Sequence, residues 1–186
     1  MKVLAIVGMP GSGKTEALNA IAEKGIPVFN MGNVITKIEP KKRGIEKIDE
    51  YKENEIRRDI RKKLGPAAVA VVIAEEVEKT NADIVAIGGL HSFAEMDYFK
   101  ERFGSDFHLI AIEASKETRF KRLSERGHRK LYKDAFEHRE KRYSEDFDIP
   151  AIMEQAEYKI SNEGSLEDFK KEVKKTLDEV LKGSVV

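Results

Sequence analysis

The chain opens MKVLAIVGMPGSGKTEALNA, and no other stretch limits its fold so tightly. Residues 3–7 form an uninterrupted apolar run, long enough for a buried strand and too short for a spanning helix. Gly8, Met9, Pro10, Gly11, Ser12, Gly13, Lys14 and Thr15 follow at once and fit G-x-x-x-x-G-K-[ST]. A strand that runs through such a turn into a helix aims successive backbone N–H groups at one point, which makes a nest for an anion. The helix from about Lys14 adds its positive end. Lys14 brings a mobile ammonium to the same point, and the Thr15 hydroxyl is suited to ligate Mg²⁺. Together the eight residues predict a site for the phosphates of a nucleoside triphosphate with Mg²⁺. They do not say whether a phosphate is then transferred.

Beyond the loop, strand and helix patterns alternate. A helix is expected over 14–24, ending at Gly25, then a short strand at 26–29 in which Pro27 limits pairing. A charged helix spans about 51–63 and stops at Gly65-Pro66; another runs from Pro66 to about Lys79. The apolar run 83–87 reads as a strand ending in Gly88-Gly89, followed by a helix at 93–102 and a strand at 107–112. Ser115 is placed to cap a helix to about Arg126. Residues 131–144 read as a charged helix, 158–160 as a strand and 166–181 as an amphipathic helix. Short apolar strands between helices predict an α/β fold with a parallel sheet covered on both faces. The basic stretches near 37–43 and 119–133 read as mobile inserts.

At 186 residues the length suits one domain, 1–186. Its 34 basic and 34 acidic residues cancel, and it has no tryptophan, so a nucleic-acid partner is not expected. The absence of cysteine excludes disulfides and thiolate chemistry. No apolar run approaches the roughly 20 residues that span a bilayer. The expectation is a cytoplasmic protein with small-molecule substrates and no membrane partner; the oligomeric state is not legible.

In their order and spacing, GMPGSGKT (8–15), MGN (31–33), KKLGPAAVA (62–70), GLHSFAE (89–95), RLSERG (122–127) and AEYKISNEG (156–164) resemble an archaeal P-loop kinase family. That family is related to dephospho-CoA kinase and adenylate kinase, within the nucleoside-monophosphate-kinase-like branch. The resemblance implies a three-layer P-loop NTPase fold with a five-stranded parallel sheet. It also implies an acceptor-binding segment at about 31–65, a lid at about 122–145, and transfer of the ATP γ-phosphoryl group to a nucleotide or a dephospho-CoA-like molecule. Arg122 and Arg126, four apart on one helix face, correspond to the lid arginines that meet the triphosphate, and with Lys14 they are the catalytic candidates. Arg139 is placed to swing in on closure, whereas Arg119 and Arg129 read as a solvated charged face. Asn162 matches the turn beside the adenine.

The acceptor half departs from the pattern. Asn33 stands where relatives carry an aspartate, and Thr36 where an arginine is expected, with Lys37 one place later. At the end of the third strand, Gly88 replaces an aspartate and His91 an arginine. The acceptor-binding candidates are therefore Asn33, Lys37, Arg61 and His91, with His91 protonated near a phosphate in the arginine's stead. Glu95, one helical turn beyond Ser92, is a substitute carboxylate. Two readings stay open: a kinase with substituted ligands, or a nucleotide-binding regulatory protein with weakened transfer.

Overall fold

The protein is described here by a computed structural model covering residues 1–127 and 130–183; the remarks above on Arg129 lie outside the described residues. Strand β1 (Lys2–Val7) carries the opening apolar run, with residues 3–7 fully buried. It sits at the centre of a five-stranded parallel sheet of order β2-β3-β1-β4-β5. The others are β2 (Val28–Asn30), β3 (Ile84–Gly88), β4 (Phe107–Glu113) and β5 (Tyr158–Ser161). In register, Ile6 lies beside Gly88 on β3 and Ile110 on β4. The carboxyl ends of β1, β3 and β4 therefore come together at one edge, where ligands bind in open parallel sheets. Pro27 falls just before β2, an edge strand, where a missing N–H costs least.

Helices cover both faces because β1 alternates its side chains between two cores. Leu4 and Ile6 face α1 (Lys14–Ala22) and the C-terminal helix, with Ile21, Phe169, Val173 and Leu177. Val3, Ala5 and Val7 face the larger core with Ile73, Ile87, Met96, Phe99 and Leu109.

After β2 the chain makes a wide helical turn at Val34–Ile38 that continues into α2 (Glu39–Lys42). Val34, Ile35 and Pro40 are buried, so the first stretch read as an insert is packed against the core. Helix α3 (Glu50–Leu64) is capped by Asp49, whose carboxylate accepts from Lys52 N–H, and ends at Gly65 with φ 79°. Helix α4 (Ala68–Glu78) follows. Helix α5 (Phe93–Phe103) is capped by Ser92 and α6 (Lys116–Glu125) by Ser115, as its sequence predicts. Then come α7 (Lys133–Glu145), the short α8 (Ile149–Glu154), which the periodicity does not reveal, and α9 (Leu166–Lys182). None of the described helices is long and apolar enough to cross a membrane.

Candidate functional site

The glycine-rich turn between β1 and α1 has the backbone its sequence calls for. Gly11 and Gly13 adopt φ of 81° and 107°, a left-handed region costly for any residue with a Cβ. At Gly13 a Cβ would also lie 2.2 Å from the Asn162 amide nitrogen. Lys14 folds over the turn, its ammonium donating to the Gly8 carbonyl at 2.7 Å and the Met9 carbonyl at 3.0 Å. Burial, then the positive charges of Arg139 and Arg119, lower its pKa to about 8. Lys14 and Arg139 thus bring positive charge to the turn, an arrangement that favours an anion, while the charge of Arg119 is matched by Glu140. Thr15 is exposed at the helix start.

The arginines of α6 divide their tasks. Arg122 donates to the Asn162 amide oxygen at 3.2 Å, while its other terminal nitrogen, Nη1, is buried with no hydrogen-bond partner. A guanidinium left with an orphaned buried donor beside the loop fits a phosphate oxygen as its missing acceptor. Arg126 ends the helix, its backbone N–H bonded to the Arg122 carbonyl. Asn162 is buried and donates to the Ser12 carbonyl at 2.8 Å, so its amide braces the turn from behind and links it to Arg122. Both polar atoms of the amide expected beside the adenine are thus bonded within the protein.

Arg119 is not a solvated residue. It is buried and pairs through both terminal nitrogens with Glu140 of α7, one of them at 2.7 Å. It also donates to the carbonyls of Pro10 at 3.2 Å and Ala114 at 3.0 Å. The second stretch read as an insert is thereby anchored to the glycine-rich turn.

At the carboxyl edge of the sheet a cleft of about 670 Å³ opens between α3, the β3–α5 turn and α7. Arg57 and Arg61 reach it from α3, His91 and Glu95 from the turn and α5, and Arg139 and Arg142 from α7. Arg57 is paired with Glu53 at 3.2 Å. Among the described residues, Arg61, Arg139 and Arg142 have no carboxylate within ion-pair distance. Arg139 and Arg142 instead lie over the rings of Tyr143 and Phe147, at 5.8 and 5.1 Å.

His91 stacks on Phe147 with ring centroids 4.7 Å apart and meets Tyr143 edge-on at 5.6 Å. Burial, and the charges of Lys14, Arg142, Arg139 and Arg57, lower its pKa to about 4. Apolar rings and neighbouring cations both oppose charge on this imidazole, which counts against the expected protonated histidine. Its backbone N–H donates to the Glu95 carboxylate at 2.8 Å. Glu95 is buried, and desolvation raises its pKa. Two other expectations change as well. The turn at Val34–Ile38 directs Ile35 inward and leaves Thr36 and Lys37 exposed, so Lys37 does not line the cleft, and neither does Asn33.

At Gly88, which stands where relatives carry an aspartate, a Cβ would lie 2.6 Å from the tip of the Leu18 side chain, which would have to move to admit one. No group of three or more His, Asp or Glu residues among those described is arranged to hold a metal ion. Sequence reasoning missed Arg142, Tyr143 and Phe147. The signal available was the recurrence of 135, 138, 139, 142 and 146 at helical spacing, which marks one face of α7.

Comparison with known proteins agrees with this architecture. The family described as "AAA domain" matches residues 7–140. A "UPF0200 protein" of Methanosarcina mazei is 36% identical over 187 residues, spanning 100% of this chain and 98% of the relative. Among solved structures, a gluconokinase from Sinorhizobium meliloti is similar with a TM-score of 0.61 at 17% identity, covering 98% of this chain and 97% of its own. A shikimate kinase from Acinetobacter baumannii in complex with shikimate gives 0.60 at 18% identity, covering 100% and 96%. At such identities these two structures show a shared P-loop kinase-like fold.

Proposed function

The chain belongs to the AAA domain family of P-loop proteins and to the UPF0200 proteins, and from that premise we propose that it is an ATP-dependent phosphotransferase acting on a small anionic acceptor. One observation carries the reading. Arg139 lines the cleft, and its charge bears on both Lys14 of the loop and His91 of the cleft. A donor phosphate on the loop and an acceptor in the cleft would both lie in the field of this guanidinium, which suits transfer of a charged group between them.

The loop amides and Lys14 would hold the β and γ phosphates, and the orphaned Nη1 of Arg122, with Arg126 at the end of the same helix, would meet the triphosphate. Mg²⁺ would rest on the Thr15 hydroxyl and on the nucleotide's own oxygens, a common arrangement for this ion. Its chemistry there is charge neutralisation. Arg61 and Arg142, free of carboxylate partners, would take the anionic group of the acceptor. Two guanidinium groups without ion-pair partners offer forked donors to an anionic group, so a phosphate-bearing acceptor fits better than a neutral polyol, of the nucleotide or dephospho-CoA-like class. His91, being neutral, would serve as a stacking and hydrogen-bonding wall.

The test is acceptor-stimulated ADP formation from Mg·ATP, scanned over nucleoside monophosphates, nucleosides, dephospho-CoA and neutral sugars. Stimulation confined to phosphate-bearing acceptors and lost in Lys14→Ala supports the reading. Equal stimulation by neutral sugars would defeat the assignment of Arg61 and Arg142. A second reading, nucleotide binding for regulation with little transfer, is favoured by one feature: position 88 carries no carboxylate, and the Leu18 side chain lies against it. ADP and ATP binding without turnover on any acceptor would select it.

A further inference from the structure

Helix α7 touches both halves of the site through different stripes of its surface. Residues 135, 138, 139, 142 and 143 face the cleft. Phe136 and Glu140, four apart and both buried, form the neighbouring stripe, each turned about 100° from the cleft-facing residue just before it. Arg119 holds that second stripe at two points. Its guanidinium pairs with Glu140 and lies 5.9 Å from the ring centre of Phe136. The same guanidinium donates to the Pro10 carbonyl inside the glycine-rich turn. Glycine at 11 keeps this seat open, since a Cβ there would sit 2.9 Å from the Arg119 carbonyl. Fixing Phe136 and Glu140 fixes the rotation of α7, and so the direction in which Arg139 and Arg142 point.

We infer that Arg119 and Glu140 are positioning residues that couple nucleotide occupancy of the glycine-rich turn to the orientation of the cleft arginines on α7. Pro10 is the relay: a ligand that orders the turn orders the carbonyl that anchors Arg119. The inference rests on the proposed nucleotide site, and it assigns these residues no contact with the reacting atoms. Two arguments separate it from simple structural ballast. A buried ion pair is weak evidence for stability, and well-packed apolar side chains often replace one without loss. And a pair serving stability alone has no need of a ligand to the turn, whereas this guanidinium is shared between Glu140 and a loop carbonyl.

The experiment is hydrogen exchange on the full chain, with and without Mg·ADP. In the wild type, ADP is expected to slow exchange both in residues 8–15 and in α7. In Arg119→Met/Glu140→Leu, an apolar replacement chosen to keep the fold, protection of 8–15 is expected to persist while ADP-induced protection of α7 falls at least tenfold. Arg119→Lys keeps the charge but loses the fork, tests the same point should the double variant fold poorly, and is expected to give an intermediate loss. Undiminished α7 protection in these variants would overturn the inference while leaving the nucleotide site intact. Protection of 8–15 without protection of α7 in the wild type would overturn it as well. Absence of any ADP protection at 8–15 in the wild type would instead overturn the nucleotide reading, and this inference with it.

Discussion

Raising the pH from 7 to 9 should weaken nucleotide binding about tenfold, and Lys14 is the reason. Burial and the charges of Arg139 and Arg119 lower its pKa to about 8, against 10.5 for an ordinary lysine. Phosphate oxygens bind the charged form. Nucleotide binding therefore raises the pKa of Lys14 and takes up a proton wherever the free lysine is neutral. With a pKa near 8 the free residue is about nine-tenths charged at pH 7 and about one-tenth charged at pH 9. The sign follows: affinity is full below pH 8 and is lost as pH rises through it, by about 1.4 kcal/mol between pH 7 and 9. Calorimetric titration of Mg·ADP in two buffers of different ionisation enthalpy measures both quantities. Proton uptake should rise from about 0.1 to about 0.9 per nucleotide over that range. Lys14→Arg, whose guanidinium stays charged, should flatten the difference and isolates it from the nucleotide's own titration. A wild-type affinity equal at pH 7 and 9, with no proton uptake, would refute the account of how the loop lysine is held.

Other consequences follow from the same geometry. Arg61→Ala and Arg142→Ala should each raise the acceptor KM by roughly 10- to 100-fold, the scale of a lost charged hydrogen bond, with ADP affinity unchanged; steady-state kinetics and ADP titration on the same preparations check this. Gly13→Ala should abolish nucleotide binding detectable by calorimetry, because a Cβ meets Asn162 and φ is left-handed. Restoring a carboxylate with Gly88→Asp should lower stability by about 1–3 kcal/mol through overpacking against Leu18, and Leu18→Ala added to it should recover part of that loss in denaturant melts. The folded-state pKa of His91 lies below the unfolded value of 6.5, so its contribution to stability is full above pH 6.5 and lost as pH falls towards 4. His91→Phe should flatten the acid limb of a Tm-against-pH curve over that window.

The glycine-rich turn, the strand that feeds it and the cap at Ser115 were all legible because each is specified by neighbours in the chain. So was the parallel sheet, since short apolar strands between helices leave few alternatives. The acceptor side was not. Lys37 looked useful beside a missing arginine, yet the turn at Val34–Ile38 sends it to solvent. Helical phase across an irregular turn cannot be read from spacing alone. Arg119 looked like an ordinary surface charge because its partnership with Glu140 spans 21 residues and two helices. Nor does composition reveal that His91 is walled by Tyr143 and Phe147 and held neutral, because those rings arrive from the far side of the cleft.

The fate of the terminal phosphate tests the central claim most directly. Enzyme at high concentration would be incubated with γ-labelled Mg·ATP and a panel of phosphate-bearing acceptors, with Lys14→Ala in parallel. The account predicts label on an organic acceptor, absent with Lys14→Ala and reduced in Arg61→Ala. Bound ATP that keeps its label with every acceptor, or yields only inorganic phosphate at the rate seen with Lys14→Ala, would contradict it.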